Sequence, residues 1–192
     1  YNFFFSVVIP TYNQSFFLKK AINSVLQQSF KDFEIIVIDN FSKDNTQKVV
    51  EGFSTEKIVY KKINNEGVIG KSRNEGIKKS NGKWIAFLDS DDYWYSNKLK
   101  TLHNFIKINN FYNVICSNEL IVDNILNRNK TWKYGPYKKN FYNKLLIDGN
   151  CISTSASVVE KIFLEKNKIR FNERKDFITA EDYDFFLNLA FK

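Results

Sequence analysis

The sequence predicts an α/β fold, with a mostly parallel central sheet flanked by helices and a smaller mixed sheet in the second half. Three observations carry the prediction. Short β-branched runs alternate with amphipathic stretches. The stretches have the length of crossover helices, which makes βαβ units and parallel strands. Polar or acidic residues follow the runs directly, where such sheets bind ligands at the carboxyl ends of their strands.

In chain order, FSVVIP (Phe5 to Pro10) is rich in β-formers and reads as the first strand. SFFLKKAINSVLQQ (Ser15 to Gln28) follows as an amphipathic helix and FEIIVID (Phe33 to Asp39) as the second strand. KDNTQKVVEGF supplies a helix capped by Ser42 or Asp44, KIVYKKI a strand, VIGKSRNEGIKKS a helix and KWIAFLD (Lys83 to Asp89) the fourth strand. Thr11, Tyr12 and Asn13 follow the first strand, Asp39 and Asn40 the second, and Asp89, Asp91 and Asp92 the fourth. The rest reads as mixed strand and helix up to AEDYDFFLNLAF, where Tyr183, Phe186, Leu187 and Ala190 recur at helical spacing.

With 192 residues, 43% hydrophobic and 17% aromatic, the chain is expected to fold as one domain and is neither disordered nor of low complexity. Cys116 and Cys151 lack any C-x-x-C partner, which excludes a zinc ribbon or a disulfide framework and leaves two buried free thiols. A single histidine, His103, excludes His-rich metal sites, so the chemistry is expected to run on carboxylates. No apolar run approaches the roughly 20 residues of a membrane span, and no signal-peptide pattern opens the chain. It begins on Tyr1 and stops inside an apolar-periodic pattern, so it reads as a piece of a longer polypeptide.

Three acidic groups follow. FLDSDD sets Asp89, Asp91 and Asp92 side by side, either as a solvated turn or, since crowded like charges favour a cation, as hard oxygen ligands for Mn²⁺ or Mg²⁺. Glu181-Asp182 opens a helix, where acids complement the dipole; the plain reading is capping, and the chemical one makes Asp182 a proton acceptor whose pKa the helix end lowers. Asp39-Asn40 is an Asx turn or a ligand contact. Gly70 to Ser72 spells GKS, but Asn65 stands where a Walker A loop needs glycine. Lys71 and Arg73, at the start of that helix, are instead placed to neutralise a pyrophosphate.

Taken in order, VVIPTYN, VIDNFSKDNT, the N-x-G-x-x-x-x-x-RN-x-GI pattern from Asn65 to Ile77, NGKWIAFLDSDD and AEDYDFFLNLA resemble the family 2 glycosyltransferases, over Phe4 to Phe191. The resemblance implies the GT-A fold and an inverting transferase of bacterial polysaccharide or lipooligosaccharide synthesis. Residues 1–95 would form the nucleotide-sugar half and 96–192 the acceptor half, truncated at the C-terminus. It implies that Pro10, Thr11 and Tyr12 line the nucleotide pocket with Asp39 and Asn40 at the base, joined by Lys71, Arg73, Asp89 and Ser90. Asp91 with Asp89 would be the DXD metal pair. Asp182 would be the base that deprotonates the acceptor hydroxyl in a single inverting displacement, and Glu181, Ser153 in NCISTSASVV, and Trp132 would lie near sugar and acceptor. Asp39-Asn40 replaces a frequent Asp-Asp pair, which loosens the expected preference for uridine. No Q-x-x-R-W motif of processive synthases is present, so transfer of single sugars is expected. The alternative within the family is a degenerate scaffold, against which the retained Asp89, Asp91 and Asp182 speak.

The net charge of +8 is concentrated: residues 97–147 hold nine basic and two acidic side chains. Within them RNKTWKYGPYKKNFYNK (Arg128 to Lys144) has six basic residues, five aromatics and no acid. It reads as a solvated basic loop or as a surface for an anionic acceptor, such as a lipid-diphosphate-linked saccharide at an anionic membrane, with Trp132, Tyr134 and Tyr137 as stacking contacts. A single-stranded nucleic acid is the rival partner, disfavoured by the acidic pocket, so none is expected. The free thiols and a UDP-sugar donor imply a cytoplasmic enzyme with peripheral membrane attachment.

Overall fold

The computed structural model describes residues 1–123, 128–135 and 140–192. Strands β1 (Phe3–Thr11), β2 (Phe33–Asp39), β3 (Ile58–Lys62) and β4 (Gly82–Phe87) alternate with helices α1 (Ser15–Leu26), α2 (Thr46–Glu51) and α3 (Ile69–Lys79). Then come α4 (Lys98–Ile108), β5 (Val114–Cys116), β6 (Glu119–Asp123), β7 (Arg128–Trp132), α5 (Phe141–Asp148), β8 (Ser157–Glu160), α6 (Lys161–Lys166) and α7 (Glu181–Phe191). Sheet order is β3-β2-β1-β4-β8-β5, with β1 to β4 mutually parallel and β8 antiparallel to both β4 and β5. The mixed character expected of the second half is therefore partly absorbed into the main sheet, while β6 and β7 form a separate antiparallel ribbon.

Position in the sheet explains the strand sequences. β1 lies between β2 and β4 and is covered on both faces, so its run from Phe5 onward is apolar almost throughout, whereas edge strand β3 is only part-buried. Successive residues feed opposite cores. Val7, Ile9, Trp84 and Ala86 join Leu18, Ile22 and Val25 of α1 and Leu99 and Leu102 of α4; Val8, Ile85 and Phe87 join Ile77 of α3, Leu164 of α6 and Phe185 of α7. Gly76 lets α3 close on the sheet, because a Cβ there would meet Val8 Cγ1 at 2.2 Å. On α7 the fully buried stripe is Phe185, Phe186 and Leu189, with Tyr183, Leu187 and Ala190 flanking it. The expected apolar face is thus rotated by about one residue, because α7 must cover the Phe87–Phe171–Phe185 ring stack.

The crossovers leave β1 towards β2 on one side and reach β4 on the other, so the sheet has its switch point between β1 and β4, where open α/β sheets bind ligands. Both cysteines are free but only half-buried, a correction to the expected buried pair. His103 packs against the rings of Phe4 and Phe30. Among the described residues no helix is long and apolar enough to cross a membrane.

Candidate active site

Register brings the first ligand-facing residues together: Thr11 is the β-partner of Asp39. Asp39 is fully buried, with Oδ1 accepting the Ser42 N–H (3.0 Å) and hydroxyl (2.5 Å) and Oδ2 accepting the Tyr60 hydroxyl (2.6 Å). Burial and the neighbouring Asp39 carboxylate push the Tyr60 phenol well above its usual value. Asn40 Oδ1 accepts the Asn65 N–H (3.0 Å). Pro10 is buried, Tyr12 is exposed, and the Thr11 hydroxyl is buried without a partner among the described residues. Phe41, just past the pair, sits at φ 50, a left-handed strain for a bulky residue. Of the two expected caps, Ser42 and Asp44, it is Asp44 that binds the start of α2, from one residue before the N-cap position Asn45: its Oδ1 accepts the Thr46 N–H (3.0 Å) and its Oδ2 the Ser15 N–H (2.9 Å), tying the starts of α1 and α2. Desolvation opposes its ionisation, yet these hydrogen bonds hold the carboxyl down at about 2.

Past β4, the acids part company. Asp89 N–H donates to Ser155 Oγ (3.0 Å), and Ser90 is buried with its hydroxyl on Gln14. Asp91 is exposed, and its carboxylate has no hydrogen-bond or ion-pair partner among the described residues. Arg73 reaches in from α3 to bind Asp89 Oδ1 (2.9 Å) and Glu181 Oε1 (2.8 Å), stacked over the Phe171 ring at 5.2 Å. The guanidinium expected beside a pyrophosphate is thus spent, nearly buried, on joining the strand-end acid to the acid pair of α7. Lys71, the other cation expected there, pairs with Glu66 (2.8 Å) and lines a different cavity with Asn64, Asn74 and Glu165.

A cavity of about 660 Å³ contains Arg73, Asp89 and Asp182 together with Asn150, Ser153 and Trp132. Asp182 Oδ2 accepts Asn150 Nδ2 (2.9 Å), and Oδ1 accepts the Tyr183 N–H (2.7 Å). The helix end was expected to lower the Asp182 pKa. Burial, with the Glu181 charge beside it, instead wins over the Tyr183 N–H and Arg73 and raises it.

The ribbon walls this cavity. Glu119 of β6 accepts the Tyr134 hydroxyl (2.7 Å) and that of Ser153, so one carboxylate joins the ribbon to the loop before β8. Lys130 lies over Trp132 (5.8 Å), and neither Lys130 nor Lys133 pairs with an acid among the described residues. Glu119 and Ser153 also border a second cavity of about 650 Å³, with Asp91, Asp92, Tyr93 and Lys98. Burial lowers the Lys98 ammonium to about 8, while it donates to Ser117 Oγ (2.7 Å). Tyr137 lies outside the described residues. Sequence reasoning missed Glu119 and Tyr60, and no spacing in the chain marks either of them.

Among the described residues no three acidic, histidine or cysteine side chains converge on one point. The unpaired Asp91 carboxylate lines the second cavity and Asp89 the first, and both are hard oxygen donors of the kind taken by a divalent ion that draws its other ligands from phosphate and water.

The family profile described as Glycosyl transferase family 2 matches residues 6–166. The chain is 34% identical over 191 residues to the Escherichia coli UDP-Glc:alpha-D-GlcNAc-diphosphoundecaprenol beta-1,3-glucosyltransferase WfgD, covering 98% of this chain and 70% of that one. It is 33% identical over 190 residues to the Staphylococcus aureus poly(ribitol-phosphate) beta-N-acetylglucosaminyltransferase TarP, covering 94% and 55%. The structure of S. aureus TarS residues 1–349 in complex with UDP superposes with a TM-score of 0.74 at 25% identity, over 97% of this chain and 55% of that one. The chain therefore spans about half of TarP and of that TarS structure. A profile match over most of its length, 34% identity to WfgD over 98% of the chain and the shared GT-A architecture place this chain in glycosyl transferase family 2.

Proposed function

We propose that this chain is a single transferase domain that moves a sugar from a nucleotide-diphosphate donor, a UDP-sugar, onto a hydroxyl of a saccharide or lipid-linked saccharide with inversion. The observation that carries the reading is the convergence of Asp89, Arg73 and Asp182 on one cavity beyond the carboxyl end of β4, with Glu181 tied to Arg73 behind it. WfgD is named for UDP-Glc, and the TarS structure holds UDP. Residues 1–95 would hold the donor and 96–192 the acceptor.

The buried Thr11 hydroxyl, unpartnered among the described residues, and Asn40 suit the nucleoside, with Asp39 bracing the loop after β2 that opens with Asn40. Asp91 and Asp89 would hold Mn²⁺ or Mg²⁺, which when bound supplies Lewis-acid stabilisation of the diphosphate as it leaves. Asp182 takes the proton of the acceptor hydroxyl as that oxygen attacks the anomeric carbon from the face opposite the diphosphate, so the configuration inverts. The raised pKa strengthens that base. Lys130, Lys133 and Trp132 form a basic, aromatic wall suited to an anionic acceptor and, at a membrane of anionic lipid, to peripheral attachment on the cytoplasmic face. The relatives' named acceptors, a diphosphoundecaprenol saccharide and a poly(ribitol-phosphate), are both anionic.

Calorimetric titration with UDP, with and without Mn²⁺, tests the donor reading. Metal-dependent binding that disappears in Asp91→Ala is expected. Binding equal in both conditions removes the metal role, and no binding in either removes UDP.

A further inference from the structure

We propose that Asn150 is a positioning residue for Asp182, its side-chain amide holding the carboxylate in one orientation and in its ionised form. The inference rests on the reading of Asp182 as the base. Gly149, at φ 79, closes α5 in a conformation that suits glycine and turns the chain so that Asn150 faces the start of α7. The amide cannot be the other way round. Its Oδ1 accepts the Ile152 N–H (3.2 Å), a group that only donates, so its Nδ2 is the atom that faces Asp182 Oδ2 at 2.9 Å. With Tyr183 N–H on Oδ1, each carboxylate oxygen has one fixed N–H donor and keeps a lone pair for the acceptor hydroxyl.

The type of partner matters. Arg73 is close enough to influence Asp182 but is engaged by Asp89 and Glu181. A cation directly on Asp182 would favour its charge so strongly that it became a poor base; an amide orients it without adding charge. The other charged and titratable groups lining the cavity are Asp89 past β4, Glu119 and Tyr134 at the ribbon, Lys130 and Lys133 on its basic side, and Cys151 beside Asn150, while Glu181 adjoins Asp182 on the same helix. Glu119 and Tyr134 are bonded to each other and Glu181 to Arg73. That leaves Asn150 as the one side chain hydrogen-bonded to the Asp182 carboxylate among the described residues.

The test is an NMR titration of aspartate carboxyl carbons in the whole protein, with the Asp182 resonance assigned by its loss in Asp182→Asn, beside the pH dependence of UDP release from UDP-glucose and UDP-N-acetylglucosamine. Asn150 is exposed, so its variants are expected to fold. Asn150→Leu removes the donor and is expected to raise the Asp182 pKa by about one unit. Asn150→Asp sets a like charge at the same place and raises it further. The acid limb of turnover moves to higher pH in the same order, with KM for the nucleotide sugar unchanged. An Asp182 pKa unmoved in both variants overturns the proposal, whatever the kinetics. A pKa that rises while the acid limb stays fixed upholds the positioning and removes Asp182 as the base instead.

Discussion

Asp39, at the end of β2, and Asp182, at the start of α7, are both carboxylates facing the ligand end of the sheet, and their surroundings are opposites. Asp39 is fully buried, and three donors from Ser42 and Tyr60 hold its two oxygens. Asp182 lines an open cavity, takes one amide and one backbone N–H, and has a raised pKa. The difference teaches how one residue type divides its work. A carboxylate saturated by fixed hydroxyls braces a loop, while one that is partly desolvated and loosely held can exchange a proton.

Asp182→Asn should break the contrast most sharply, lowering turnover by about 10²–10⁴-fold in a UDP-release assay while UDP affinity and the unfolding midpoint stay put. Unchanged turnover would take Asp182 out of the chemistry. Next comes Arg73→Met, which strands Glu181 and Asp89 without their shared cation. Loss of about 3–5 kcal/mol is expected in urea unfolding, towards the lower end because Asp89 is a third exposed. A change below 1 kcal/mol would mean that water replaces the guanidinium.

Tyr60→Phe probes the bracing carboxylate. It should cost about 1–3 kcal/mol of stability and leave the pH profile of turnover unmoved, the mirror image of the Asp182 variant. Asp44 gives the smallest effect. Its folded pKa of about 2 lies below the ordinary carboxylate value of 3.8, so its contribution is fully present above pH 3.8 and is lost as pH falls through 2. Asp44→Ala should cost about 1 kcal/mol at neutral pH, reduced by its exposure, and should flatten the acid side of the stability curve. An equally steep loss of stability below pH 4 in the variant would assign it to other carboxylates.

The first half was legible because its signals are local. β2 occupies the span read from FEIIVID, and β1 and β4 lie within two residues of theirs, since β-branched runs buried on both faces have few other ways to fold. The helix read from KDNTQKVVEGF shrank to Thr46–Glu51, because Asp39 and Asp44 hold the residues before it in turns. In the second half the strands are short: β8 forms by pairing beside β4, and β5 by pairing beside β8.

The sequence by itself determined the α/β class, the order of the first elements, the membership of the family and the acids at the strand ends. Each of these is written in residue type and short spacing, and strand sterics and helix period act over only a few neighbours. The tertiary structure alone decided what those acids touch. Arg73 lies 108 residues from Glu181 and Asn150 lies 32 from Asp182; only packing α3 and α7 on the same face of the sheet brings the first pair together, and only the turn after α5 brings the second. Whether a carboxylate braces a loop or takes a proton depends on its burial and its donors, and these are set by chain segments that are distant in sequence.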